Sequence, residues 1–478
     1  MRACRHLTAW GAAGGAFAYL LACHAGDARA NGRLPAAHQL VVAPTDQNFF
    51  VIEATFGLLV SHDTGANFGW ICENAVGYGT STNQDPSIGV TSGAVLAGVY
   101  QGLAVSSDHG CSWHFAMTEP ITDVTVRRDD PHTALALSSR YLGVTDAGEN
   151  NFSTQIFVSH DDGTTWGAVG GPIEPDVLVE TIDVAPSDPN RIYVGGARTM
   201  FGSDGSFRRT GLVLASTNGG ASYTATEIPL VPPYETQASA YVTAIDPTNP
   251  DRVYVRISDS AVDRLVVSDD GAATFRTAYQ AKGTLAGFAM SSDGSKVFVG
   301  DSASGVFKAA VPPVDSGAPF AFSLQSSAVV SCMAWSAGKL YACMGQPWDQ
   351  AFKQLGASAD DGMTFAPDFP FGCVSGPLAC PGGAVAAACG SGFAMLKGTV
   401  GPCTDAGGLD GGMVVPDAGV EDAAALKDAS TADAGAVRET PHPHTSSCGC
   451  SAGQAASAGG LSAVGVLLAL ALRRRRRA

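Results

Sequence analysis

Six times along this chain a serine is followed two residues later by Asp or Asn, four residues later by Gly or Ala, and seven residues later by an aromatic ring. The copies are Ser61–Phe68, Ser106–Trp113, Ser159–Trp166, Ser216–Tyr223, Ser268–Phe275 and Ser358–Phe365, with the acid position held by Asp63, Asp108, Asp161, Asn218, Asp270 and Asp360. A short polar side chain in a tight turn accepts hydrogen bonds from the turn's own N–H groups. Glycine then supplies a backbone angle that other residues resist, and the ring opens the next strand. The phrase therefore describes a β-hairpin, repeated.

Short apolar strands precede the hairpins, as at Gly57–Val60, Gly102–Val105 and Leu265–Val267. Upstream lies a strand, an Asp-Pro turn and a second strand, as in Ile182–Val194 and Val242–Val255. Each unit thus holds four strands. The first serines stand at 61, 106, 159, 216, 268 and 358, so the gaps are 45, 53, 57, 52 and 90. The last gap has room for two units, and Phe288–Val299 with Gly305–Lys308 supplies the strands of one that lacks the phrase. The expectation is an all-β chain, a single seven-bladed propeller of four-stranded antiparallel blades over residues 31–403.

The phrase resembles the Asp-box, or BNR, repeat of sialidase-like β-propellers. That resemblance implies a fold and carries no function of its own, because the motif's parts are structural. Sialidases need an arginine cluster, a Tyr/Glu nucleophile pair and an acidic Asp. Arg33-Leu34-Pro35 is similar to their opening Arg-Ile-Pro element, but Leu59-Val60 stand where another arginine is usual, and sialidases have six blades. Seven-bladed Asp-box glycoside hydrolases pair two domains across a cleft, and only one ring is legible here. No catalytic residue is assigned.

The flanks suggest export. Residues 1–30 have the order of a signal peptide, with Arg2 and Arg5, an apolar stretch from Leu7 to Ala22, and Ala28-Arg29-Ala30 as a small-x-small cleavage site. An alternative places a lipoprotein-type site at Cys23. Residues 404–447 lack Phe, Trp and Tyr and are Ala/Asp/Gly-rich, the composition of a disordered acidic linker. Residues 448–478 combine Cys448 and Cys450, an uncharged stretch over 452–472 long enough for a transmembrane helix, and Arg473 to Arg477. This order resembles MYXO-CTERM surface-sorting tails. The resemblance implies a sorting protease, cleavage near Cys448 or Cys450, and delivery from the inner membrane to the cell surface or outer membrane with a possible lipid anchor; a plain single-span anchor is the alternative.

A net charge of −16 argues against nucleic-acid partners. In an exported chain disulfides are the default. Cys332 and Cys343 mirror each other about Gly338, Cys72 and Cys111 are expected to join neighbouring blades, and Cys373, Cys380, Cys389 and Cys403 crowd the end of the propeller. No metal site and no cofactor motif is read: His442-Pro-His444 and the Asp-Ala-Gly phrases lack a dense ligand set.

The phrase occupies the turn between the third and fourth strands, so recognition is expected on the opposite face, where long loops concentrate. The candidates are Arg140 and Tyr141 of blade 3, Arg198 and Arg208 of blade 4, and Trp348 and Asp349 of blade 7, with Asp85, Glu174, Asp176, Tyr234 and Glu235 on the crossings. The favoured function is a surface-displayed, non-catalytic binding module for a glycan or protein. The competing one is an extracellular glycoside hydrolase using two carboxylates among Asp146, Glu149, Asp204 and Asp349.

Overall fold

The computed structural model describes residues 35–79, 85–145, 149–201, 207–229, 238–259, 262–344, 353–366 and 368–403. The proposed signal peptide, the linker and the sorting tail with Cys448 and Cys450 lie outside the described residues. Among the described residues no helix is long and apolar enough to cross a membrane.

Seven four-stranded antiparallel sheets follow one another along the chain, each with its strands in sequence order. They span residues 37–71, 87–117, 121–169, 177–227, 238–280, 285–326 and 330–370. The innermost strand of each blade packs on that of the next, and Val330–Ser336 of blade 7 packs on Ala37–Val42 of blade 1, closing the ring. Closure removes the open sheet edges that short strands would otherwise expose. Second and third strands such as Phe50–Ala54 and Gly57–Ser61 are buried on both faces, because each blade is sandwiched between two others.

The recurring hairpins form as their chemistry requires. In the first, Ser61 Oγ donates to Asp63 Oδ1 at 2.8 Å and accepts from Gly65 N at 3.0 Å, while Asp63 Oδ1 accepts from Asn67 N at 2.8 Å. Asn67 Nδ2 closes the turn on Asp63 Oδ2 at 2.7 Å. The other five repeat this scheme with Ser112, Thr165, Ser222, Thr274 and Thr364 in the place of Asn67. That seventh, always polar, position was present in the sequence and is part of the motif. Trp113 and Trp166 donate from Nε1 to the Gly110 and Gly163 carbonyls, fixing the ring that starts the outer strand.

Two features differ from the sequence reading. The segments read as long loops in blades 3 and 4 are strands: Ala134–Val144 pairs with Asn150–Ser159, and Ile192–Phe201 with Phe207–Ser216. Aromatic and β-branched residues of the extensions, among them Tyr141, Val144, Phe152, Thr199 and Thr210, favour strand beyond the length of the neighbouring blades. The second is that residues 371–403 are not propeller strand. After Pro370 the chain runs along the outer strand of blade 1, with Trp70 N donating to the Gly376 carbonyl and Leu378 N to the Trp70 carbonyl, both at 2.8 Å. It then forms the helix Ala384–Val400, which lays Phe393 against the Trp70 ring.

This segment carries the disulfide correction. Cys72 bonds Cys389 and Cys111 bonds Cys380, so neither joins its neighbour as expected. The outer edges of blades 1 and 2 are instead tied to the C-terminal clasp, a proximity created by ring closure that spacing along the chain does not reveal. Cys332–Cys343 forms as expected, directly opposed in register, and Cys373 pairs with Cys403.

Candidate functional site

The two extended hairpins define the face opposite the recurring turns. Their second and third strands have ten or eleven residues, against five in blades 1 and 2, so they project about 17–20 Å farther at about 3.3 Å per residue. Tyr141, Leu142 and Val144 of blade 3 are 56%, 56% and 58% exposed. Met200 and Phe201 of blade 4 are also exposed, and Arg140 and Arg208 flank these residues in solvent. Tyr141 leans on Phe152 across the hairpin at 5.5 Å between ring centroids, which holds it in place.

Arg198 has a different setting. Its Nε donates to Asp176 Oδ2 at 2.6 Å, its Nη1 to Glu227 Oε1 at 3.3 Å, and its Nη2 to Glu174. Only about a fifth of the side chain is exposed. It clamps the crossing from blade 3 to the outer strand of blade 4 by pairing with three carboxylates at the base of the hairpins. Trp348, Asp349, Tyr234, Glu235, Asp146 and Asp204 lie outside the described residues. Glu149 is described and exposed; its backbone pairs with Thr145.

Around the ring axis, side chains of the innermost strands bond the backbone of the next blade. Thr181 Oγ1 accepts from Val242 N at 2.7 Å, and Asp123 accepts from Ile182 N at 2.8 Å and from Ser87 Oγ at 2.6 Å. Burial pushes the Asp123 carboxyl up to about 6, against the pull of those hydrogen bonds. Glu180 is raised by the same cause while Arg209, at 2.8 Å, opposes it. Arg256 stacks over Tyr241 at 4.5 Å beside them. The sequence reading did not single out Asp123, Glu180, Tyr241 or Arg256. Glu180 is the extra residue of a β-bulge between Val179 and Thr181, a feature the alternation Val-Leu-Val-Glu-Thr-Ile only reveals once the register is known.

The turn-bearing face holds a cavity of about 700 Å3 between blades 1 and 2 and the clasp, lined by His62, Phe68, His109, Leu378 and Pro381 among others. It was not expected there. Phe49, His62 and His109 meet at its edge in tilted and edge-to-face contacts, with ring centroids 4.9 to 5.4 Å apart. Burial and the neighbouring His109 lower the His62 pKa, with Asp46 and Asp63 opposing, so His62 favours the neutral form.

No family model matches the chain, and no curated protein matches it. Solved structures do resemble it. The WD40 repeats of RRP9 give a TM-score of 0.45 at 12% identity, covering 66% of this chain and 89% of that one. A hydrazine synthase of Kuenenia stuttgartiensis gives 0.45 at 10%, covering 67% and 95%. The GH74 xyloglucanase from Xanthomonas campestris gives 0.21 at 12%, covering 68% and 77%. At such scores these likenesses carry no functional argument, and the architecture rests on the seven closed sheets themselves.

Proposed function

We propose that this chain is a non-catalytic, extracellular binding propeller that recognises a protein surface through the projecting hairpins of blades 3 and 4. One observation carries the reading. Tyr141, Leu142, Val144, Met200 and Phe201 are held in solvent on the paired strands of two hairpins in neighbouring blades, flanked by Arg140 and Arg208. Large apolar and aromatic side chains beside arginine are what the energetic centres of protein interfaces use, and contiguous exposed apolar surface marks interaction sites. Glu174, Asp176 and Glu227 at the base of the hairpins are tied to Arg198 in a structural clamp.

Two finer assignments belong to the same proposal and rest on sequence order and turn chemistry. The six hairpins are assigned to the Asp-box type, with the bond scheme of Ser61, Asp63 and Gly65 in support. Export by residues 1–30 and surface display by residues 448–478 rest on the charge and hydropathy order of the two ends. Fractionation of cells carrying Cys448→Ser with Cys450→Ser tests the tail: the protein should move from the surface to the inner membrane.

The recognition test uses the full chain and its Tyr141→Ser/Phe201→Ser variant, applied to isolated cell envelopes, with a parallel panel of chromogenic glycosides. Saturable envelope binding that is sensitive to protease treatment of the envelopes and falls at least tenfold in the variant is the expected result. Unchanged binding by the variant overturns the assignment of the surface, and glycoside turnover overturns the non-catalytic reading.

A further inference from the structure

We propose that His38, Glu53 and Asp85 form a binding site for a divalent transition-metal ion of the Zn2+ or Mn2+ class, on the face of the ring that bears the long hairpins. The three residues are far apart in sequence, and the fold brings one donor atom of each within 4.8 Å of the others. His38 Nδ1 lies 3.2 Å from Asp85 Oδ2 and 3.7 Å from Glu53 Oε2.

Each donor is placed by a specific feature of the fold. His38 is the extra residue of a β-bulge: Ala37 opposes Ala54 and Gln39 opposes Glu53, so His38 and Gln39 share one partner. A bulge re-aims a side chain and recurs beside functional sites. The pairing is pinned on its outer side, where Thr55 Oγ1 accepts from Ala36 N at 3.1 Å and Thr55 N donates to the Ala36 carbonyl at 2.9 Å. Asp85 precedes the inner strand of blade 2, Ser87–Val90. The side chain of Gln39 grips that strand at Ile88, through both N–H and carbonyl, and so brings Asp85 to the imidazole. The site is built from two blades and exists only when they are adjacent.

The chemistry fits a borderline dication. At metal–ligand bonds of about 2.0 to 2.2 Å, donors around one ion stand about 3.0 to 3.5 Å apart, close to the 3.2 and 3.7 Å measured here. One neutral imidazole with two carboxylates carries a charge of −2, which a dication offsets. Glu53 is only 1% exposed, a setting in which charge compensation counts most. Mixed nitrogen and oxygen donors suit Zn2+ and Mn2+, whereas Ca2+ takes six to eight oxygens. His38 keeps 46% of its side chain exposed, so the outer coordination positions face water or a ligand.

The test is a calorimetric titration of the EDTA-stripped full chain with ZnCl2 and MnCl2. It is run in a His442→Ala/His444→Ala background so that the tail imidazoles contribute nothing. One equivalent is expected to bind. His38→Ala and Asp85→Asn should each weaken binding at least tenfold and abolish the metal-induced rise in Tm. Both substitutions are at solvent-accessible side chains, which avoids disturbing the buried Glu53. Absence of saturable binding overturns the proposal, as does wild-type affinity in either variant.

Discussion

Gln39 bonds Ile88 as a neighbouring strand would: its Nε2 donates to the Ile88 carbonyl at 2.9 Å and its Oε1 accepts from the Ile88 N–H at 2.8 Å. One side chain therefore stands in for a strand between the innermost strands of blades 1 and 2. Asp123 and Thr181 make the corresponding bonds to Ile182 N and Val242 N, so several blade junctions are stitched by a side chain near the ring axis.

Replacing Gln39 by Glu keeps the size and removes the donor. The Ile88 carbonyl then loses its partner, and the expected cost is about 1–3 kcal/mol. A lowered urea midpoint at unchanged m-value checks it. An unchanged midpoint means that water replaces the amide without loss.

The two disulfides of the clasp should act together. Cys72–Cys389 and Cys111–Cys380 close loops of 317 and 269 residues, yet with one intact the other closes only a short circuit through the same two regions. Replacing either pair by alanine is expected to cost about 2–4 kcal/mol. Removing both should cost more than the sum, by on the order of 1 kcal/mol, because only then is the whole ring released in the unfolded chain. Denaturation of the two double variants and the quadruple variant measures this. Strict additivity would contradict the shared-loop account.

The turns predict an acid limb. Hydrogen bonds from the Thr165 hydroxyl and N–H and from Ser159 hold Asp161 down to about 2, and those from Thr364 and Ser358 do the same for Asp360. Their folded pKa values lie below the unfolded value, so the stabilisation is full above about pH 4 and is lost as the pH falls from 4 toward 2. Asn218 fills the same position with an amide, accepting from Ser222 N at 3.0 Å and donating to Ser222 Oγ at 2.9 Å. Asp161→Asn with Asp360→Asn should therefore preserve the fold at pH 7 and flatten the dependence of Tm on pH between 4 and 2. An acid limb as steep as that of the wild type would show that these turns do not titrate as described.

Much of the ring was legible beforehand because its signals are local. A Ser, an Asp and a Gly within five residues close one turn through their own backbone, and the spacing of such turns counts blades; even the unit without the phrase was found from Phe288–Val299. Cys332 and Cys343 were legible for the same reason, being mirror positions of one hairpin. The extended hairpins of blades 3 and 4 were read as loops because Arg140, Arg198 and Arg208 interrupt the apolar pattern: Arg140 and Arg208 face water, and Arg198 meets the carboxylates of Glu174, Asp176 and Glu227.

The amino-acid sequence by itself determined the hairpin, the number of its repeats and hence a wheel of seven sheets, since each of those depends on contacts within about a dozen residues. Closure of the wheel decided the rest. It set Cys72 against Cys389, laid the helix Ala384–Val400 on Trp70, and gathered His38, Glu53 and Asp85 around one point. Those pairings join residues of different blades or opposite ends of the chain, and their proximity is a property of how the blades pack, which no local pattern encodes.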